Sequence, residues 1–325
     1  MKINILVSSA GRRVSLVKAF QHELKSLFVE AQVFTSDVKP EWSSACRVSD
    51  GYFALPLVSD PVYIDLLFEL CVKNSVGLVI PTIDTELLVF ASNFQKFADA
   101  GIVLAVSDLE LVVRCRDKRN TNQLFKDFGI QIPKAIDKNN PVFPVFAKPY
   151  DGSLSKDIML IRNQRDFSKS ILDNEKLMFM EYLNPEEYQE FTVDAYFDQF
   201  GMLKGLVPRK RIEVRGGEIS KGKTERGELY KTLVSKFAEI KGARSCLTMQ
   251  FFEHKTSGRV VGIEINPRFG GGFPLSYQAE ANYPAMLIRE YLLNEPLEFV
   301  DNWIDGLVML RYDAEVILKC DAFAE

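Results

Sequence analysis

Short apolar segments and amphipathic segments alternate through the first hundred residues. This alternation is typical of β-α-β units, in which the strands form a parallel sheet and the helices cover its faces. It predicts strands at residues 3–7, 32–36, 77–81 and 102–106 and helices at residues 12–27 and 61–74. The pattern therefore predicts an α/β domain that ends near Ser107.

The rest of the chain begins with a helical segment at residues 108–129 and then contains mostly strand patterns. Short strands predicted at residues 143–148, 158–162 and 178–182, with a helix at 166–173, indicate a small α/β unit. Longer strand patterns follow at residues 191–198, 203–214, 246–253 and 260–266. We therefore expect an α+β organisation in this part of the chain.

Composition excludes several classes of protein. The 325 residues include 40 basic and 44 acidic side chains, and the resulting charge of −4 disfavours a dedicated nucleic-acid binder. No apolar run approaches the ~20 residues needed to cross a bilayer. Five scattered cysteines without a CxxC pair indicate a reducing cytoplasm, and two histidines leave little material for a zinc site or a catalytic triad. We therefore expect a cytoplasmic protein whose partners are neither a membrane nor a nucleic acid.

Two of the predicted strands place several oxygen-bearing side chains together. A hairpin centred on Ser257 pairs Gln250 with Glu264 and Thr248 with Asn266, and directly opposed side chains lie about 5 Å apart on one face. Carboxylate and amide oxygens suit Mg²⁺ that also binds nucleotide phosphates. Gln250, Glu264 and Asn266 are therefore candidate metal ligands, and a solvated polar face is the alternative interpretation.

The residues after this hairpin support the metal-nucleotide interpretation. Pro267 and Arg268 precede a run of three glycines, so a guanidinium lies beside the candidate ligands, where a transferring phosphoryl group needs stabilisation. The segment from Glu264 to Arg268, Glu-Ile-Asn-Pro-Arg, resembles the carboxy-terminal metal motif of the ATP-grasp superfamily. Gln250 lies where carbamoyl-phosphate-synthetase-like members place another metal ligand.

The resemblance covers nearly the whole chain and implies both a fold and a cofactor. It implies a Rossmann-like pre-ATP-grasp domain at residues 1–107, followed by an ATP-grasp domain at residues 108–325 in two subdomains that clasp the nucleotide. Residues 108–183 would include the small lid subdomain, and residues 184–325 would bind the metal. The implied cofactors are ATP and Mg²⁺, with Mn²⁺ as a substitute.

Lys148 ends a predicted strand and is followed by a loop of small residues at 151–157, which offers backbone amides to phosphates. This segment is similar to the phosphate loop of the family. The resemblance implies that four side chains of this segment bind phosphate: Lys148, Ser153, Ser155 and Lys156. It also makes Lys118 a phosphate or nucleotide contact.

Further positions resemble the family's nucleoside contacts. Glu181, Tyr182 and Leu183 correspond to a hinge that lends backbone groups to adenine. Glu190 resembles the glutamate that binds ribose hydroxyls, and two nearby residues, Glu186 and Glu187, remain alternatives for this role.

A basic segment lies between residues 204 and 226, where eight basic side chains oppose three acidic ones. Arg209, Arg211 and Arg215 alternate along the predicted strand and are expected on one face. We interpret this face as binding a triphosphate or an acyl phosphate, because no aromatic stacking platform accompanies it. A solvated charged face is the alternative.

The amino-terminal domain also has polar residues where its strands end. The turn at residues 8–13 follows the first strand but lacks two glycines of the GxGxxG dinucleotide motif. Asp37, Asp84 and Glu86 follow other strands, at the edge where open α/β sheets bind ligands. Asp84 and Glu86 are candidate contacts to an amine or another acceptor, and helix capping is the alternative.

The resemblance implies an ATP-dependent carboxylate-amine or carboxylate-thiol ligase that forms an acyl phosphate, with Lys148, Arg211 and Arg268 as catalytic residues. Its partners would be a small carboxylate and an amine, and a homodimer is left open. One alternative is a carbamoyl-phosphate-synthetase-like subunit that phosphorylates bicarbonate or carbamate, and another is a noncatalytic ATP-binding sensor. A nicotinamide oxidoreductase is disfavoured by the broken glycine motif.

Overall fold

A computed structural model describes residues 2–152 and 157–319 of the chain. The predicted phosphate contacts Ser153, Ser155 and Lys156 lie outside the described residues. The described part contains three sheets of five, three and six strands. Within these ranges, no helix is both long and apolar enough to span a membrane.

The five-stranded sheet is parallel and occupies the first third of the chain, as predicted. Its strands are β1 (Asn4–Val7), β2 (Val33–Asp37), β3 (Gly51–Ala54), β4 (Val76–Ile80) and β5 (Val103–Leu104). Its helices are α1 (Val14–Leu27), α2 (Ser44–Val48), α3 (Tyr63–Lys73), α4 (Asp84–Ser92) and α5 (Phe94–Asp99). The strand order β3-β2-β1-β4-β5 reverses direction between β1 and β4, and such a switch point opens a crevice at the carboxyl ends of the strands.

The three-stranded sheet is antiparallel and has its own small core. It follows α6 (Leu109–Arg116) and α7 (Lys118–Asp127) and consists of β6 (Val145–Pro149), β7 (Met159–Ile161) and β8 (Leu177–Glu181) in the order β7-β6-β8. Helix α8 (Lys169–Leu172) is shorter than the predicted helix, because residues before Phe167 form a 3₁₀ turn that the Asn163 side chain caps.

The six-stranded antiparallel sheet has the order β13-β12-β9-β10-β11-β14. Its strands are β9 (Tyr188–Phe197), β10 (Leu203–Arg215), β11 (Glu218–Thr224), β12 (Ser245–His254), β13 (Val260–Asn266) and β14 (Val308–Leu310). The accompanying helices are α9 (Glu228–Lys236), α10 (Phe273–Gln278) and α11 (Tyr283–Leu292). This mixture of parallel and antiparallel sheets confirms the expected fold class.

The two faces of the six-stranded sheet differ because side chains alternate along each strand. On one face, Phe191, Val193 and Phe251 are buried, and the Phe251 ring contacts Phe125 of α7 at a centroid distance of 5.5 Å. The other face carries polar side chains and is covered by α10 and α11 only near Asp194 and Tyr196. The remaining part of that face is open toward the three-stranded sheet.

A single apolar core connects the first sheet to the six-stranded sheet. It includes Phe20 of α1, Phe269 after β13, and Leu287 of α11. The Phe20 and Phe269 rings meet edge to face with their centroids 5.9 Å apart. The two parts of the chain therefore pack directly against each other, and the boundary near Ser107 stays a prediction.

Candidate active site

The open half of the polar face brings together the oxygen-bearing side chains predicted from the hairpin. Strand pairing places Gln250 opposite Glu264 and Thr248 opposite Asn266, which confirms both predicted pairs. The Gln250 amide donates to Glu190 of the neighbouring strand, and Asn266 Nδ2 donates to Glu264 Oε1 at 3.0 Å. Two carboxylates and two amides therefore share this half of the face.

The predicted centre of the hairpin is wrong, although the pairs at the site are right. Near the turn, Phe252 pairs with Val261 and Glu253 with Val260, one position out of step with a centre at Ser257. A register shift between Gln250 and Phe251 corrects this difference before the polar residues are reached. An inserted residue of this kind re-aims side chains and is common beside functional sites.

The donor set fits a hard divalent cation that is shared with phosphates. The amide nitrogens of Gln250 and Asn266 turn toward carboxylates, and neither amide oxygen accepts a hydrogen bond from a described residue. No group of three His, Cys, Asp or Glu side chains able to hold a metal occurs within residues 2–152 and 157–319. Mg²⁺ usually takes only one or two carboxylates and completes its shell with phosphates and water. The metal roles of Gln250, Glu264 and Asn266 stay predictions.

Lys148 faces this group from the end of β6 in the three-stranded sheet. Its side chain is buried, and no described residue forms a hydrogen bond with its ammonium group. Burial lowers the pKa of Lys148 to about 8, the Glu264 carboxylate opposes that change, and the charge of Lys118 adds to it. Lys118 itself donates to the carbonyl of Gly152. Lys148 and Lys118 thus lie close to each other, and Glu264 lies within electrostatic reach of Lys148.

Arg211 of β10 pairs with Glu190 of β9, with 3.0 Å between Arg211 Nε and Glu190 Oε1. Burial raises the pKa of Glu190, the Arg211 guanidinium and the Gln250 amide oppose that shift, and the Glu264 charge reinforces it. Mutual repulsion of two half-buried carboxylates is relieved by a cation between them. The electrostatics therefore agree with the predicted metal.

Arg209 lies on the covered part of the polar face, apart from Arg211, and its predicted cofactor contact stays a prediction. Its side chain is 0% exposed and forms two hydrogen bonds, of 2.8 and 3.0 Å, to the Asp194 carboxylate. Asp194 also accepts from Thr248 and Ser276 at 3.0 and 2.6 Å. A side chain at Gly272 would place its Cβ 2.1 Å from Arg209 Nη1, so the glycine run is needed to close over this pair.

The expected common face of the three arginines on β10 also fails beyond Arg211. Register shifts between Arg211 and Glu213 and between Glu213 and Val214 turn the end of the strand. Arg215 is exposed and lies 3.5 Å from Asp313. Of these three arginines, only Arg211 lies at the open part of the cleft.

The hinge residues lie where β8 leaves the three-stranded sheet. The Glu181 side chain is occupied by Arg259, with distances of 2.6 and 3.1 Å, and by the backbone amide of Lys134 at 2.8 Å. Leu183 is buried against Tyr188. The Glu181 side chain is therefore structural, and the backbone contacts predicted for Glu181, Tyr182 and Leu183 stay predictions.

Of the three candidate ribose ligands, the structure brings only Glu190 to the cleft. Glu186 and Glu187 lie in the connection between β8 and β9 and are exposed. Glu190 instead lies on β9, beside Gln250. The geometry therefore favours Glu190 among the alternatives.

Arg268 connects the cleft to the amino-terminal domain. Its guanidinium forms two hydrogen bonds of 3.0 Å to Asp84 at the start of α4. Glu86 is fully buried and accepts from Ser9 and Tyr63 at 2.7 and 2.8 Å, so it is a structural residue and not the predicted acceptor contact. Asp84 and Arg268 are the residues that join the two parts of the site.

Sequence reasoning missed Asp194, Ser276 and Arg13. Asp194 has the same strand parity as Glu190, so alternation alone places it on the polar face. Ser276 and Arg13 lie in segments far along the chain from the residues they approach, and no local pattern marks them. Only the packing of α10 and α1 against the sheets brings them to the site.

Two family models and several solved structures match this chain. Residues 5–105 match the model of the PylC-like N-terminal domain, and residues 173–310 match the model described as ATP-grasp in the biosynthetic pathway with Ter operon. No curated protein matches the sequence. The chain is therefore similar to the ATP-grasp superfamily over residues 173–310 and to the PylC-like N-terminal domain over residues 5–105.

The similar structures extend over most of the chain at low identity. The biotin carboxylase domain of 2-oxoglutarate carboxylase from Hydrogenobacter thermophilus, bound to MgADP, ADP and bicarbonate, is 16% identical with a TM-score of 0.71, over 93% of this chain and 72% of that chain. N5-carboxyaminoimidazole synthetase from Staphylococcus aureus, complexed with ADP, is 15% identical with a TM-score of 0.70, over 95% and 82% of the two chains. At these identities the similarity establishes the fold.

Proposed function

We propose that the chain is an ATP-dependent ligase that joins a carboxylate to an amine, or to a thiol, through an acyl phosphate. The observation that carries the proposal is that the buried Lys148, which has no hydrogen-bond partner among the described residues, lies within electrostatic reach of Glu264, which in turn acts on Glu190. Such charges are costly to bury without partners, and a metal-bound polyphosphate supplies both the anion and the cation that they need.

The chain's own residues account for binding and charge stabilisation. Lys148 and Lys118 would neutralise phosphate oxygens, and Arg211 would keep Glu190 ionised for the ribose hydroxyls. Arg268, held in place by Asp84, would face the phosphoryl group during transfer. Mg²⁺ at Gln250, Glu264 and Asn266, when bound, would shield the phosphate charges.

The reaction needs no covalent attachment to the protein. A carboxylate oxygen of the substrate attacks the γ-phosphorus, and ADP leaves. The amine nitrogen then attacks the carbonyl carbon, and inorganic phosphate leaves as the amine loses its proton. Closure of the three-stranded sheet over the cleft would keep water from the acyl phosphate.

Glu264→Gln should reduce Mg²⁺-dependent ADP release at least 100-fold, while circular dichroism shows an unchanged fold. The assay uses ATP, a panel of carboxylates and hydroxylamine as the nucleophile, so that an acyl phosphate is trapped as a hydroxamate. Glu239→Gln, at an exposed position away from the cleft, serves as the matched control. Full turnover in Glu264→Gln would contradict the proposal.

Phosphorylation of bicarbonate or carbamate is the second candidate, because one similar structure is a complex with MgADP, ADP and bicarbonate. In the same assay it predicts ADP release with bicarbonate alone and no hydroxamate from any organic acid. Binding of ATP without release of ADP would instead favour the noncatalytic sensor. For the ligase we propose a cytoplasmic location and small-molecule substrates. The proposal allows either a monomer or a homodimer.

A further inference from the structure

A cavity of about 240 Å³ lies at the carboxyl edge of the five-stranded sheet. Its walls are mainly aliphatic and include Val38, Leu55, Val58 and Ile83. Its lining also includes polar groups after β1 and at the end of β2, namely Ser9, Ser36 and the carboxylate Asp37. A concave, mostly apolar site with a few polar groups at one end is the usual form of a small-molecule site. This cavity is separate from the cleft that faces Lys148.

Three arginines and two carboxylates meet where the amino-terminal domain contacts the glycine run after β13. Arg268 pairs with Asp84 at 3.0 Å, and Arg311 pairs with Glu218 at 2.7 Å. Arg13 has no carboxylate within 4.0 Å among the described residues, and its one hydrogen bond is a long contact of 3.4 Å. One cation of this group is therefore left without an anion.

Arg13 remains charged at neutral pH despite its surroundings. Burial lowers the pKa of Arg13 to about 10, the Arg268 charge lowers it further, and Glu218 and Asp84 oppose the change. A half-buried guanidinium with free donors is a ready receptor for a carboxylate or a phosphate. The excess positive charge therefore favours an anionic ligand at this position.

The same two loops form the cavity and hold the arginine. Ser9 and Arg13 both belong to the connection between β1 and α1, and Arg13 donates to Thr82 of the connection between β4 and α4, which also supplies Ile83 and ends where α4 begins at Asp84. Asp84 in turn contacts Arg268, two residues beyond the predicted metal ligand Asn266. A molecule that fills the cavity and places its anionic end on Arg13 would direct that end toward the ATP cleft.

We propose that the acid substrate is an organic carboxylate with an apolar body, which occupies the cavity while Arg13 binds the carboxylate. This inference rests on the proposed ligase function and selects its substrate class. Bicarbonate is too small to cover the aliphatic walls, so it would gain nothing from the cavity. Arg13 thus binds the carboxylate group of the substrate, and the cavity selects substrates by the size of their apolar part.

Calorimetric titration without nucleotide tests the inference directly, with 3-phenylpropanoate, acetate and the neutral 3-phenylpropanamide as probes. We expect 3-phenylpropanoate to bind at least tenfold more tightly than either of the other two. Arg13→Gln should weaken its binding at least tenfold. The adjacent Arg12→Gln should leave it unchanged, because the Arg12 side chain is 89% exposed and its ion pair with Glu218 is long, at 3.8 Å.

A second variant tests the cavity separately from the charge. Thr85 is exposed at the rim of the cavity, so Thr85→Trp should fill the cavity without disturbing the core. Thr85→Trp should weaken the binding of 3-phenylpropanoate at least tenfold and should change the affinity for acetate by less than twofold relative to the wild type. Equal binding of acetate and 3-phenylpropanoate by the wild type, or unchanged binding in Arg13→Gln, would overturn the inference.

Failure of the inference and failure of the ligase function give different results. A fluorescent ATP analogue, titrated with Mg²⁺, reports the nucleotide cleft alone. If the analogue binds and bicarbonate alone drives ADP release while no organic acid binds, the substrate class is refuted. If the analogue does not bind to the wild-type protein, the ligase function is refuted whatever the carboxylate titrations show.

Discussion

Two buried cations of this molecule have opposite surroundings. Arg209 on β10 is 0% exposed, and the Asp194 carboxylate holds it through hydrogen bonds of 2.8 and 3.0 Å. Lys148 on β6 is 8% exposed and has no hydrogen-bond partner among the described residues. Burial lowers the pKa of this lysine to about 8.

The difference separates a structural charge from a charge kept for a ligand. An arginine whose charge is neutralised by a buried carboxylate can remain buried without a ligand from outside the protein, although Arg209 Nη1 itself has no hydrogen-bond partner among the described residues. A lysine that loses hydration and gains no partner lowers the stability of the folded state, which is typical of functional sites. We therefore propose that Arg209 serves the fold and Lys148 serves the reaction, and substitutions can test each assignment.

The largest effect is expected for Asp194→Ala. It leaves the Arg209 guanidinium buried without an anion and also removes the acceptor of Thr248 and Ser276. The free energy of unfolding should fall by about 3–5 kcal/mol, measured by urea denaturation. Asp313→Ala is the matched control, because Asp313 pairs with Arg215 of the same strand at the surface. Its effect should stay below about 1 kcal/mol, and equal losses in the two variants would contradict the structural role of Arg209.

Lys148→Met should have opposite effects on activity and on stability. Loss of the ammonium group should reduce ATP turnover about 10²–10³-fold, as expected for a group that stabilises charge in a transition state. The folded protein should become more stable by about 1–3 kcal/mol, because a shift of the lysine pKa to about 8 reports the energetic penalty of the buried charge. Loss of stability in this variant would show that the lysine has a structural partner.

The pH dependence of the same pair of proteins provides the control. The folded state lowers the pKa of Lys148, so the unfolded chain binds the extra proton between pH 8 and the ordinary lysine pKa of 10.5. The stability of the wild type should therefore rise with pH in this interval relative to Lys148→Met. The stability difference should be largest below about pH 8 and should disappear as the pH approaches 10.5. A difference independent of pH would exclude the lysine charge as its cause.

Strand alternation is a local property, and it correctly predicted that Gln250, Glu264 and Asn266 share a face. It could not predict how deeply each residue lies on that face. Arg209 and Arg211 have the same parity, yet α10 and the glycine run cover only the first of them. Depth depends on segments that are distant in sequence.

Long-range pairs and strands with a weak sequence pattern could not be predicted from the sequence for the same reason. The contact between Arg268 and Asp84 joins residues 184 positions apart, and no periodicity reports it. Strand β3 has only four residues, and β11 reads as a charged segment with two lysines. Both strands form because neighbouring strands supply hydrogen-bond partners, and propensity contributes little.

Arg211→Gln should have the smallest effect, about a tenfold loss in kcat/KM for ATP, or about 1.4 kcal/mol. Arg211 contacts Glu190 at 3.0 Å and lies at the margin of the cleft, so it is intermediate between the two buried cations. Arg215→Gln, at an exposed position on the same strand, should leave kcat/KM unchanged.

A double-mutant cycle with Glu190→Gln decides which role Arg211 has. If Arg211 acts only by keeping Glu190 ionised, the double variant should lose no more activity than Glu190→Gln alone. If it also contacts phosphate, as the resemblance implies, the two losses should add. Because Arg211 is the cation that lowers the pKa of Glu190, removing it should also shift the acidic limb of the kcat/KM profile to higher pH. Additive losses without that shift would mean that Arg211, like Lys148, acts on the ligand directly and not through Glu190.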